Sequence, residues 1–229
     1  MKNKLISLII LLFVILTAGC EFDNYDPPTS TITGNVVYNG ENVNVRSGGT
    51  ELELWQYGYA LRQKIPVYIA QDGTFSARVF DGDYKLVRLN GGPWQNQSDS
   101  INVSINGTAA IDVPVTPYFT ISNASISYNS STGVVTATCN VNKVGTLNID
   151  NLTLYVGVTN IIDPTNSSQN FALNAAALSD LTTTKTLTIT LNETNKARSN
   201  IFVRIGVKAA GIGERLYTPV EKVILQTTK

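Results

Sequence analysis

The sequence predicts an all-β protein built from two tandem β-sandwiches. Apolar residues alternate with polar ones at period two in short runs from Thr31 almost to the C-terminus, as strands with one buried face do. The runs are separated by turn signals such as Asn39-Gly40, Asp81-Gly82-Asp83 and Asn106-Gly107, which supply the positive φ that tight hairpins need. The chain has 229 residues, 210 of them after residue 19. That is long for one sandwich and comfortable for two domains of about 100 residues each.

Residues 1–19 read as an export signal. Met1-Lys2-Asn3-Lys4 is a short basic start, residues 5–16 are apolar apart from Ser7, and Thr17-Ala18-Gly19 are small. The apolar run is too short for a permanent spanning helix, which needs about 20 residues. Basic, apolar and small regions in that order mark a secretory signal. Cys20 follows at once, and the arrangement resembles the lipobox of bacterial lipoproteins, with Thr17 where leucine is more usual. The alternative is an ordinary cleaved signal with an incidental cysteine. The resemblance implies a mature chain that begins at Cys20, lipidated on its thiol and acylated on its amine. Several acyl chains at about 0.8 kcal/mol per buried CH₂ hold a protein at a membrane without crossing it.

Residues 20–30 form the tether. Pro27 and Pro28 forbid helix and favour an extended spacer. Glu21, Asp23 and Asp26 place three carboxylates directly after the anchor. They make either a solvated linker or an export signal, for acidic residues at this place resemble the signal that sends Bacteroidetes lipoproteins to the cell surface.

The first sandwich is expected over 31–116. Ile32, Gly34 and Val36 alternate, and so do Leu52 and Leu54 against Glu51, Glu53 and Trp55. Ile65, Val67 and Ile69 follow, then a turn at Gln71-Asp72-Gly73 and a strand carrying Phe75, Ala77 and Val79. Residues 84–89 make the next strand, a long polar loop opens at Asn90, and two strands carry Ile101, Val103, Ile105 and then Ile111, Val113, Val115. About seven strands at regular spacing suit a sandwich or barrel. Thr116-Pro117-Tyr118 marks the boundary, and a second sandwich fills 117–229, with its clearest strands at 134–141, 152–158, 187–191, 201–209 and 220–225. Over 171–181, Phe171, Leu173, Ala177, Leu178 and Leu181 roughly share one helical face, so a short helix is expected there.

Composition narrows the chemistry. Seventeen basic and seventeen acidic residues balance. Loss of Lys2 and Lys4 with the signal leaves 15 basic against 17 acidic, so no basic surface is available for a nucleic acid. The sequence holds no histidine, which removes Ser-His-Asp and Cys-His sites and imidazole metal ligands. The acidic residues are scattered over turns, with no convergent pair for glycoside hydrolysis. Neither a catalytic residue, nor a metal site, nor a cofactor is expected. With Cys20 committed to lipid, Cys139 stands alone among Val135, Ala137 and Val141 on one strand face, which makes it a small core residue.

Trp55, Tyr57 and Trp94 are the candidate binding residues. If Leu52 and Leu54 face the core, Trp55 and Tyr57 face the other way. Trp94 sits in the loop Gly91-Gly92-Pro93-Trp94. Exposed rings can stack on the C–H face of a pyranose while amides such as Gln56, Gln95, Asn96 and Gln97 bond its hydroxyls. The competing reading, and the preferred one, has both tryptophans packed at the domain seam or the open end of a sandwich, because large aromatics are more often buried. Asp99-Ser100-Ile101 also resembles a Bacteroidetes O-glycosylation motif, with Ser100 as acceptor.

Several motifs of the first domain carry a wider resemblance: Asp23-Asn24-Tyr25-Asp26, Glu51-Leu52-Glu53-Leu54-Trp55-Gln56, Asp72-Gly73-Thr74-Phe75, Phe80-Asp81-Gly82-Asp83-Tyr84, Gly92-Pro93-Trp94 and Val115-Thr116-Pro117-Tyr118. As a set they resemble a family of Bacteroidetes surface lipoproteins encoded beside SusC/SusD-like pairs in polysaccharide-utilisation loci. The resemblance covers 21–118 by motif and 119–229 by strand pattern. It implies a prealbumin-like (carboxypeptidase-regulatory-like) first domain and an Ig-like second. It also implies a non-catalytic glycan-binding accessory, anchored in the outer membrane, with a glycan ligand and a SusC/SusD-like complex as partners. The alternative is a structural fimbrial or stalk-like lipoprotein. Such proteins need an arginine cleavage site ahead of the first domain, and the first arginine after Cys20 is Arg46.

Overall fold

The computed structural model describes residues 26–58 and 62–226. The chain folds as two antiparallel-rich sandwiches in tandem. In the first domain, β1 (Ser30–Tyr38), β2 (Glu41–Asn42), β3 (Glu51–Gln56) and β4 (Lys64–Tyr68) are followed by β5 (Thr74–Val79), β6 (Gly82–Arg88), β7 (Ser100–Ile105) and β8 (Thr108–Pro114). One sheet has β1 at its centre. Strand β8 runs parallel along one edge of β1, and β5 and β2 run antiparallel along the other. The second sheet has the order β4-β3-β6-β7. Alternation does the sorting: Ile32, Leu52, Leu54 and Leu86 are inward and 0 to 1% exposed, and burying each stabilises the fold by about 2 kcal/mol.

The turns follow their sequence signals. Asn39 and Gly40 both take positive φ (51° and 83°) between β1 and β2, as a type I′ hairpin requires. At Gly73 (φ 84°) an added Cβ would lie 2.7 Å from the Val43 carbonyl oxygen, so this turn packs too closely for any side chain. The Asp72 carboxylate closes it by accepting from the backbone N–H and the hydroxyl of Thr74, and Phe75 is delivered into the core. Tyr84 is buried, and its hydroxyl donates to the Phe80 carbonyl at 2.9 Å, tying β6 back to the preceding corner.

The second domain comprises β9 (Phe119–Asn129), β10 (Val134–Lys143), β11 (Ile149–Gly157), β12 (Gln169–Asn174), β13 (Lys185–Thr190), β14 (Asn200–Ala209), β15 (Arg215–Tyr217) and β16 (Glu221–Ile224). Its sheets are β13-β10-β9 and β12-β11-β14, with β15 and β16 along the far edge of β14. Cys139 is fully buried on β10, and burial pushes its thiol up to about 11, against the opposing pull of Lys185. It is a packing residue.

The helix expected over 171–181 is replaced by strand β12 and a 3₁₀ turn at Ala176–Leu178. Residues Gln169 to Asn174 gain a ladder with β11, and that pairing outweighs a helical period that no glycine or basic residue closes. The only member of the supposed apolar face that becomes fully buried is Leu178. A one-turn helix, α1 (Glu193–Lys196), forms where Asn192 caps the backbone N–H of Asn195.

The hydrophobic core runs through both domains as one cluster. At the seam, Tyr217 donates its backbone N–H to the Asn44 carbonyl at 2.9 Å, and Arg46 pairs with Glu214. Arg204 of β14, 1% exposed, reaches across to the carbonyls of Val45 and Gln71. The two sandwiches are thus joined by packing, a bridge and buried polar contacts.

Candidate functional site

The outer face of the β4-β3-β6-β7 sheet brings two of the three candidate aromatics together. Strand alternation sends Leu52 and Leu54 inward and Glu51, Glu53 and Trp55 outward. Trp55 lies between Lys64 of β4 and Lys85 of β6, and Lys85 lies opposite Asn102 of β7. Tyr57, just past the end of β3, is 55% exposed. The Lys85 ammonium sits 5.2 Å and the Arg62 guanidinium 5.6 Å from the centre of its ring, within cation–π reach. An open groove of about 760 Å³ borders this end, lined by Gln56, Tyr57, Asp83, Lys85, Asn102 and Ser104 among others.

Glu53 organises the middle of the face. It is 8% exposed although charged. One carboxylate oxygen accepts from the Trp55 indole N–H at 3.0 Å and the other from Lys64 at 2.7 Å. Lys64 also donates to Glu51 at 3.0 Å. The hydrogen bonds it donates to Glu53 and then to Glu51 hold the lysine well above its ordinary pKa. The indole is therefore fixed by its polar edge while part of the ring stays open to solvent. Both carboxylates are engaged by one lysine.

Trp94 does not join this face. It is 1% exposed, and its backbone bridges Pro117 at the domain junction. A Cβ at Gly92 would meet the Trp94 ring at 2.8 Å, so the ring closes down over its own loop. As a stacking residue Trp94 is withdrawn; it packs the seam because its loop is pinned to residues 116–118 by Gln95 N–H to Thr116 and Tyr118 N–H to Pro93. Tyr68, absent from the candidate set, stands on the outer face opposite Glu51 and is 61% exposed. The alternation of Ile65, Val67 and Ile69 carried that signal: it sends Tyr68 outward.

Ser100 is exposed at the start of β7, and the neighbouring Asp99 pairs with Arg88, which holds the Asp99 carboxyl below its ordinary pKa. Asp26 is exposed, while Cys20, Glu21 and Asp23 lie outside the described residues. Among the described residues no cluster of three or more acidic or thiol ligands is placed to hold a metal, and no helix is long and apolar enough to cross a membrane.

Comparison with known proteins agrees with the two-domain architecture. A family described as "Protein of unknown function (DUF3823) N-terminal domain" matches residues 30–116, and one described as "Domain of unknown function (DUF3823_C)" matches 119–222. A DUF3823 family protein of Bacteroides ovatus is 38% identical, with a TM-score of 0.80 over 86% of this chain and 100% of its own. One from Parabacteroides merdae is 30% identical, with a TM-score of 0.78 over the same shares. A Bacteroides uniformis protein described as a "putative carbohydrate binding protein" has a TM-score of 0.71 at 19% identity, over 86% of this chain and 100% of its own. None of these descriptions names a catalytic family. No curated protein matches significantly.

Proposed function

The chain belongs to the DUF3823 family, and on that premise we propose that it is a non-catalytic carbohydrate-binding lipoprotein of the outer-membrane surface. The observation that carries the binding role is the outer-face row of Tyr57 and Trp55, flanked by Lys85, Lys64 and Asn102. Flat rings beside amines and amides match the two faces of a pyranose, its C–H patch and its hydroxyls. The Bacteroides uniformis protein is alike in fold alone, at 19% identity, so the carbohydrate reading rests on the face itself.

The anchor and address come from the sequence: Cys20 for lipid, with Glu21, Asp23 and Asp26 as the surface-export signal. The resemblance to lipoproteins encoded beside SusC/SusD-like pairs supports a role in presenting glycan to such an importer. Ser100, exposed and preceded by Asp99, is the proposed O-glycan acceptor, and an intact mass equal to the bare lipidated chain would reject it. The stalk-like alternative finds little support, because β1 is the central strand of its sheet and Arg46, beyond it, is held by Glu214. Cleavage at Arg46 would remove β1.

Two experiments test the proposal. Electrophoresis through gels containing plant or host polysaccharides should retard the wild-type protein, and Trp55→Ala and Tyr57→Ala should restore free migration without unfolding. Equal retardation of all three proteins would refute the site. Membrane fractionation and protease shaving of intact cells should find wild type lipidated and exposed, and Cys20→Ala soluble. A soluble wild type would refute the anchor.

A further inference from the structure

Tyr57 and Tyr68, both more than half exposed, stand on the same sheet face with Trp55 between them. Placement on the ladder gives the spacing. Tyr68 is opposite Glu51, Pro66 opposite Glu53 and Lys64 opposite Trp55, with Tyr57 two residues beyond Trp55, just past the end of β3. From the level of Tyr68 to Tyr57 is six residue steps, the last just beyond β3, about 20 Å at an extended ~3.3 Å per residue, or roughly four pyranose rings end to end. Across that line, Lys64, Lys85 and Asn102 lie level with Trp55 on β4, β6 and β7, and the Lys85 ammonium also reaches the Tyr57 ring.

We infer that this face takes an internal stretch of a linear polysaccharide laid along β3, with Tyr57, Trp55 and Tyr68 as successive stacking points. The inference rests on the carbohydrate reading above and adds the form of the ligand. A site for a chain end surrounds one sugar with walls and buries most of its surface. Here the rings are strung along an open sheet, and each can contact a different residue of one chain. A single stacking contact on such a surface is weak, of the order of a few-fold to tenfold in affinity. Useful binding therefore requires several contacts in register, and affinity must climb with chain length until the row is filled. Glu53 serves this as a positioning residue: it holds the central indole by its N–H, so the middle contact needs no reordering when a chain arrives.

The test uses the full lipidated chain in detergent and size ladders of xylan-, glucan- and mannan-derived oligosaccharides, from disaccharide to hexasaccharide, measured by titration calorimetry. For a polymer that binds, affinity should rise with each added unit and level off near about four units, and blocking the reducing end should change nothing. Tyr68→Ala should weaken the longest oligosaccharides about fivefold and flatten the length dependence. Full affinity already at the disaccharide, loss of binding on blocking the chain end, or an unaltered length dependence in Tyr68→Ala would overturn the extended site while leaving the carbohydrate reading standing. Absence of binding at every length across all three polymers would overturn both.

Discussion

The guanidinium of Arg204 in the second domain donates to the backbone carbonyl of Val45 in the first at 2.9 Å. The same group donates to the carbonyls of Gln71, Ile162 and Thr218, and its carbon lies 4.0 Å from the centre of the Tyr217 ring. Burial pulls its pKa down to about 10, against the opposing pull of Tyr217 and Asp163. Four peptide carbonyls and an aromatic face stand where a carboxylate would usually be. Arginine supplies five donors in a rigid fork, enough for all four carbonyls, where lysine has three.

Removing this group should loosen the seam. Arg204→Met fills the space but takes their guanidinium donor from the carbonyls of Val45, Ile162 and Thr218, while that of Gln71 keeps the Val45 N–H, at an expected loss of about 3 kcal/mol. Urea denaturation followed by circular dichroism would measure it. A loss below about 0.5 kcal/mol would mean that the seam is held by its apolar contacts alone.

Trp94→Ala should cost about 3–5 kcal/mol, because it opens a cavity beneath a loop whose ring is almost fully enclosed. The change should leave glycan affinity intact at temperatures where the protein is folded. Thermal melting with a binding assay separates the two effects. A variant with wild-type stability and no binding would return Trp94 to the site.

Glu53→Ala should do the reverse. Lys64 is close to half exposed and returns to solvent, so stability should change far less than in Trp94→Ala. The freed indole should cost several-fold in affinity. Parallel melting and titration check it, and unchanged affinity would show that Trp55 needs no partner to hold its place.

Asp163 gives an acid-sensitive element. Burial alone would raise its pKa; the Asn166 side chain and the backbone N–H groups of Asn166 and Thr165 outweigh it and hold the carboxyl below its ordinary value. A depressed folded-state pKa stabilises above the unfolded value of about 3.9 and is lost as pH falls through the folded one. Asp163→Asn should therefore be less stable than wild type by about 1 kcal/mol near neutrality, and the gap should close below about pH 4. Melting curves across that range measure it. A gap that does not change with pH would contradict the assignment.

Much of this was legible along the strands. Period-two alternation places Leu52 and Leu54 inward, and by the same parity it puts Trp55, Tyr57 and Tyr68 on the opposite face. What alternation cannot see is a second body covering an outer face. Arg204 sits between Val203 and Ile205 with the parity of a solvated residue, yet it is buried because the first domain lies over it. Trp94 is decided in the same way by Pro117, 23 positions along the chain. The 171–181 segment went astray because its fate depends on the waiting edge of β11, which local periodicity does not contain.

The central claim is that sugar meets Trp55 and not Trp94. The chain has these two tryptophans and no other, one on the open face and one sealed in the seam, so intrinsic fluorescence reports on each separately in single Trp→Phe variants. Titration with the hexasaccharides should change the emission of wild type and of Trp94→Phe saturably and leave Trp55→Phe unchanged. A saturable change that survives in Trp55→Phe and disappears in Trp94→Phe would contradict the account.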